Sequence, residues 1–128
     1  MENEITFFFD SYALIEVYEK NVNYEKYTKA NAITSYFQVY EVYYSLIRNG
    51  YTKEEIKDFF EFLQSICIEL KFEWIPKSVE FRKEYKKRDL SYADCLGYVI
   101  AKNLGIRFLT GDKEFENLPN VEFVKKIK

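Results

Sequence analysis

The sequence of 128 residues predicts an α/β protein in which helices cover both faces of a mainly parallel sheet. Three observations carry this reading. Short runs of aromatic and β-branched residues alternate with helical patterns, the order from which right-handed crossovers build parallel sheets. Two of the runs, ITFFF (5–9) and IRFLT (106–110), are apolar with little alternation, as central strands buried on both faces must be. With only four glycines and two prolines the connections are short, and the length suits a single domain, 1–128.

The elements follow in order. ITFFF (5–9) is the first strand and SYALIEVYEK (11–20) the first helix. AITS (32–35) is a short strand running into the helix YFQVYEVYYSLI (36–47), which Asn49-Gly50 ends. Thr52 caps an amphipathic helix, 53–66, with Glu55 three residues on as its capping-box partner. ELKFEWIP (69–76) sets Leu70, Phe72 and Trp74 against Lys71 and Glu73, the alternation of a strand at a sheet edge. SVEFRKEYKKR (78–88) reads as a charged helix and SYADCLGYVIAKNL (91–104) as an apolar one closed by Gly105. IRFLT (106–110) and VEFV (121–124) complete the strands.

Composition narrows the chemistry. The chain has no histidine, so a serine or cysteine nucleophile has no imidazole base and the usual imidazole metal site cannot form. Carboxylates, lysines, tyrosines and a hard metal remain. Cys67 and Cys95 sit in apolar helical patterns and read as core rather than as a disulfide or zinc pair. A net charge of −2 announces no basic field for nucleic acid, although a local patch is invisible to that sum. Apolar runs far shorter than the ~20 residues of a membrane helix, and an N-terminus, MENEI, unlike a signal sequence, lead to an expectation of a cytoplasmic protein with no membrane association.

The acids at the strand ends carry the functional question. An aspartate after FFF is costly to bury unless it is paired or bound to a cation, so Asp10 has a structural or a chemical task. It can cap helix 11–20, and Asp112 can cap a short turn beginning KEFENL. In open α/β sheets, however, ligands bind beyond the carboxyl ends of central strands, where both aspartates fall. If the two strands are neighbours, the two carboxylates face one crevice. Ser91-x-x-Asp94 fits a capping box, yet its helix carries only Asp94 and Lys102 as charges, with Ala93, Gly97 and Ala101 as a small-residue stripe for close packing. A helix apolar nearly all round is buried, which favours a polar site for Asp94. Glu41 shares its helix side with Gln38, Ser45 and Arg48, opposite Val39, Val42, Tyr43 and Leu46, the pattern of a solvated face.

Taken together, FFFDSYALIEV, AITSYFQVYEVYYSLI, LSYADCLGYVIAKNLGIRFLTGDKEF and VEFV resemble the PIN-domain family, and within it the small VapC-like ribonuclease toxins. The likeness spans almost the whole chain and is most specific from SYAD through LTGDKEF. It implies a three-layer fold on a sheet of about five strands in order 3-2-1-4-5. It also implies metal-binding, catalytic acids at Asp10, Glu41, Asp94 and Asp112, supported by Ser11 and Thr110; for Glu41 it overrules the periodicity. Tyr12 departs from the small polar residue common there, and a secondary acidic role for Glu114 stays open.

The chemistry gives four carboxylates a reason of their own. Crowded like charges repel unless a divalent cation neutralises them, and an all-oxygen set without His or Cys selects Mg²⁺ or Mn²⁺. The expectation is therefore metal-assisted phosphodiester hydrolysis, and the family resemblance implies single-stranded or structured RNA as the substrate, cut to leave a 5′-phosphate and a 3′-hydroxyl. Lys86, Lys87, Arg88 and Lys113 are candidate substrate contacts, whereas Lys83 reads as a charged helix face. The family likeness further implies a homodimer and an antitoxin protein as partner. The rivals are a haloacid-dehalogenase-like phosphotransfer enzyme, which needs an acid where Tyr12 stands, and a non-catalytic RNA- or protein-binding module of the same fold. A receiver domain is disfavoured by Ile75-Pro76, where it needs an acid.

Overall fold

The computed structural model describes residues 5–126. Residues 1–4, most of the MENEI segment, and 127–128 lie outside that range. Four strands, β1 (Thr6–Phe9), β2 (Asn31–Ile33), β3 (Arg107–Thr110) and β4 (Val121–Phe123), form one parallel sheet in the order β2-β1-β3-β4. The helices are α1 (Ser11–Tyr18), α2 (Tyr36–Arg48), α3 (Lys53–Ile66), α4 (Trp74–Glu84) and α5 (Tyr92–Asn103).

Successive side chains of a strand point to opposite faces, and the two central strands use this to seed two cores. Phe7 and Phe9 of β1 and Leu109 of β3 pack with Leu14, Val42, Leu46, Ile56 and Leu63 of α1, α2 and α3. Phe8 and Phe108 turn the other way, against α4, α5 and Phe115. Their rings stack with centroids 5.9 Å apart, and both are fully buried. Each such burial stabilises the fold by about 1.5–3 kcal/mol. The result is a three-layer α/β arrangement in which β1 and β3 are the buried central pair the sequence predicts.

The expected edge strand at 69–76 does not form. Trp74 is buried, but Phe72 is 89% exposed and the segment turns directly into α4, whose first turn admits Pro76 because no partner is needed there for the missing N–H. A single parallel bridge, Thr34 to Cys67, holds the position beside β2, so the sheet has four strands instead of about five. The helix expected at 78–88 accordingly starts a turn earlier and ends at Glu84. A 3-10 segment, Val22–Lys29, that no sequence pattern marks is tied to the far edge by its tyrosines: the Tyr24 hydroxyl donates to the Val124 carbonyl and the Tyr27 hydroxyl to Glu122 Oε2, each at 2.6 Å. Both cysteines are free, Cys95 buried and Cys67 half-buried, and burial pushes the Cys95 thiol up to about 11.

Candidate active site

β1 and β3 are hydrogen-bonded neighbours, and the Asp10 amide continues their ladder by donating to the Leu109 carbonyl at 3.1 Å. With β2 on one side of β1 and β3 on the other, the strand order reverses here, which makes this end of the sheet the expected ligand crevice. A cleft of about 630 Å³ opens there, and Asp10, Glu41, Asp94 and Asp112 all line it.

Each aspartate caps a helix and faces the cleft at the same time. Asp10 Oδ1 accepts from the Ala13 amide at 2.8 Å and starts α1. Asp94 Oδ2 accepts from the Ser91 amide at 3.0 Å while its own amide donates to Ser91 Oγ, the capping box of α5. Asp112 Oδ1 accepts from the Glu114 amide at 2.9 Å and begins a 3-10 turn, Lys113–Phe115. Capping and cleft roles are thus compatible. For Asp94 and Asp112 the cap engages one carboxylate oxygen, and both residues line the cleft.

The solvated-face reading of Glu41 fails at Gln38, which is 1% exposed and donates through Nε2 to the Ala93 carbonyl at 2.6 Å while meeting the Ser35 hydroxyl. That side of α2 faces α5 and the cleft. Gly97 allows the approach: a Cβ there would come within 2.8–2.9 Å of Phe8, Gln38 and Phe108. Glu41 is half-buried and its Oε1 accepts from Ser11 Oγ at 3.0 Å.

Of the two supporting residues, Ser11 lies on the cleft wall and Thr110 is fully buried behind it. The Thr110 hydroxyl accepts from the Asp112 amide at 3.0 Å and also favours the charged form of the Asp10 carboxyl. Tyr12 packs its ring against Gly111, where Tyr24 also abuts and no side chain fits. The proposed contacts Lys86, Lys87, Arg88 and Lys113 are not on the wall; Arg88 donates to the Glu114 carbonyl and lies over Tyr85. The arginines that do line the cleft are Arg48 and Arg82, beside Asp89. Arg48 stands on the predicted Glu41 side of α2, a signal present in the helical spacing, whereas Arg82 reaches the cleft only through the packing of α4 on α5.

Electrostatics records the crowding. Burial raises the Asp10 carboxyl well above its usual range, with Asp94 and Asp112 adding to the shift and Thr110 and the Ala13 amide opposing it. Asp94 is pushed up to about 6, by burial first and by the charges of Glu41 and Asp112 next. Among the described residues the only ion pairs are Arg107 with Glu122 and Lys126 with Glu16, so no side-chain cation neutralises the cleft acids. Nor do three acids converge tightly enough to enclose an ion unaided. An oxygen-only donor set of this kind fits a hard divalent cation that keeps several waters and takes one or two direct carboxylates.

Fold and cleft together define a class: doubly wound α/β proteins with an acid cluster at the topological switch point. The chain belongs to the PIN domain family, whose model matches residues 7–121. Solved structures share the fold. A toxin–antitoxin complex from Klebsiella pneumoniae is 20% identical with a TM-score of 0.73, over 90% of this chain and 94% of that one. VapC20 of Mycobacterium tuberculosis, a sarcin-ricin-loop-cleaving toxin, is 15% identical at 0.75, over 92% and 98%. VapBC2 from Rickettsia felis, bound to a DNA fragment from its promoter, is 14% identical at 0.71, over 96% and 100%. No curated protein matches the sequence.

Proposed function

We propose that this protein is a metal-dependent endoribonuclease that hydrolyses RNA phosphodiesters at the acid cleft. The observation that carries it is the convergence of Asp10, Glu41, Asp94 and Asp112, from four separate segments, on one wall at the carboxyl ends of β1 and β3. Bound Mg²⁺ or Mn²⁺ supplies the charge that makes the cluster tolerable and the polarisation that turns water into a nucleophile at a phosphodiester. The chain's own residues do the rest. The caps hold Asp10, Asp94 and Asp112 in fixed orientations, Ser11 holds Glu41, and the Thr110 hydroxyl holds the Asp112 backbone. Arg48 and Arg82 offer positive charge to the substrate backbone from the same cleft. The phosphotransfer rival needs an acid at position 12, where the Tyr12 ring lies on Gly111.

The relatives' names extend the proposal to biology. VapC20 is a sarcin-ricin-loop-cleaving toxin and the Klebsiella structure is a toxin–antitoxin complex, so we assign this chain as the toxin of such a pair, acting in the cytoplasm as a homodimer and restrained by an antitoxin protein. No helix among the described residues is long and apolar enough to cross a membrane. The test is a pair of melts, in EDTA and in Mn²⁺, for wild type and Asp94→Asn. A metal-bound native state is stabilised by RT ln(1 + [L]/Kd), so Mn²⁺ should raise the wild-type melting temperature and raise that of the variant far less. An equal rise in both removes Asp94 from the metal site.

A further inference from the structure

The acid cleft is flanked by large aromatic side chains left in water. Tyr40 is 76% exposed and Tyr44 58%, both on α2 and both lining the cleft; Tyr92, at the start of α5, is 74% exposed. Single exposed aromatics are ordinary, but these three cluster at one cleft and two of them carry an arginine each. The Arg48 guanidinium lies over the Tyr44 ring, 5.4 Å from its centroid, and the Arg82 guanidinium over the Tyr92 ring at 4.1 Å. Arg82 is held further by donating from Nε to the Leu90 carbonyl at 3.2 Å.

Resting on the nuclease reading, we propose that Tyr40, Tyr44 and Tyr92 are stacking platforms for unpaired bases of the RNA substrate, with Arg48 and Arg82 as the adjoining phosphate contacts. The charge of the cleft requires such a device. Five acids line it, the four proposed catalytic acids and Asp89, against two arginines, so even with one divalent cation bound the wall carries no net positive charge and phosphate attraction is weak there. Base stacking on an aromatic ring adds affinity without charge and tolerates any sequence. Neither arginine is ion-paired to those acids among the described residues, so no carboxylate competes with a phosphate for either guanidinium group. A paired base presents no free face to a ring, so the platform selects single strands, loops and ends over duplex.

The test is fluorescence anisotropy with a labelled oligouridine 12-mer and a labelled RNA duplex in Mn²⁺, in a Glu41→Gln background that keeps the strand intact. Tyr40→Ala and Tyr92→Ala should each weaken single-strand binding about tenfold, while Tyr40→Phe and Tyr92→Phe stay within about twofold of the parent. Arg48→Ala should lower the slope of log affinity against log salt by about 0.7. All of these positions are solvent-facing, and unchanged melting temperatures verify folding. Alanine variants that bind like the parent overturn the proposal and assign the aromatic wall to protein contact; equal affinity for duplex, or no single-strand binding by the parent, overturns it as well. Parallel assays separate the two readings. Tyrosine-dependent binding without cleavage by the wild type supports the platform and removes the nuclease, whereas full cleavage with tyrosine-independent binding does the reverse.

Discussion

Ser11 Oγ donates to Glu41 Oε1 at 3.0 Å, joining the first residue of α1 to the middle of α2 across thirty positions of sequence. The bond fixes a side chain that its own helix would leave to rotate. Ser11→Ala should therefore reduce RNA cleavage roughly three- to tenfold through loss of one positioning hydrogen bond of about 0.5–1.5 kcal/mol. Glu41→Gln should reduce cleavage by orders of magnitude, and the double variant should be no worse than Glu41→Gln alone, since the serine acts through the glutamate. Additive losses in kcat/KM would separate the two residues.

The raised proton affinity of Asp94 makes a stability prediction with a definite sign. Its folded value of about 6 lies above the ordinary carboxyl value of 3.8, so the native state binds more protons than the unfolded chain between those limits. Stability contributed by this group is present below about pH 4 and is lost as pH rises towards and past 6. Asp94→Asn keeps an acceptor for the capping box but removes the buried charge. In EDTA the variant should be more stable than wild type at pH 7.5 and lose that advantage by pH 4, read from urea midpoints at the two pH values. A variant less stable than wild type at both would contradict the crowding argument.

The outcome at Asp94 illustrates how much of the site was legible in the sequence. The acids after β1 and β3 declared themselves because a carboxylate following a buried run needs a reason, and the nearly all-apolar helix that carries Asp94 singled out the third. All three caps form. Glu41 was not legible from periodicity, because a helix side that faces a polar cleft carries the same residues as one that faces water; only the burial of Gln38 against Ala93 tells them apart. The central strands and five helices were readable from apolar runs and periodicity. Residues 69–76 were not, since the Leu70, Phe72, Trp74 alternation is overruled by the turn into α4. The cleft-lining arginines were obscured for a different reason: a lysine-rich helix end is conspicuous in sequence, whereas the reach of Arg82 depends on how α4 packs on α5.

Gly97 tests that packing. Alanine there gains about 1 kcal/mol of helix propensity but places a methyl group within 3 Å of Phe8, Phe108 and Gln38, and overpacking of a full core costs about 1–3 kcal/mol. The packing term wins because two of the three neighbours are buried rings. Gly97→Ala should lower the denaturation midpoint and also weaken cleavage, since Gln38 and α5 set the distance between Glu41 and Asp94. A stabilised, fully active variant would show that α2 and α5 can separate without consequence.

The most direct test of the central claim is cleavage of an end-labelled single-stranded RNA by the purified protein, with Mn²⁺ or Mg²⁺ and with excess EDTA, followed by identification of the new ends. The account predicts cleavage with metal, none in chelator, and products bearing a 5′-phosphate and a 3′-hydroxyl, because the cleft has carboxylates and no histidine with which to activate water. Cleavage at full rate in EDTA, or products ending in a 2′,3′-cyclic phosphate, would contradict it.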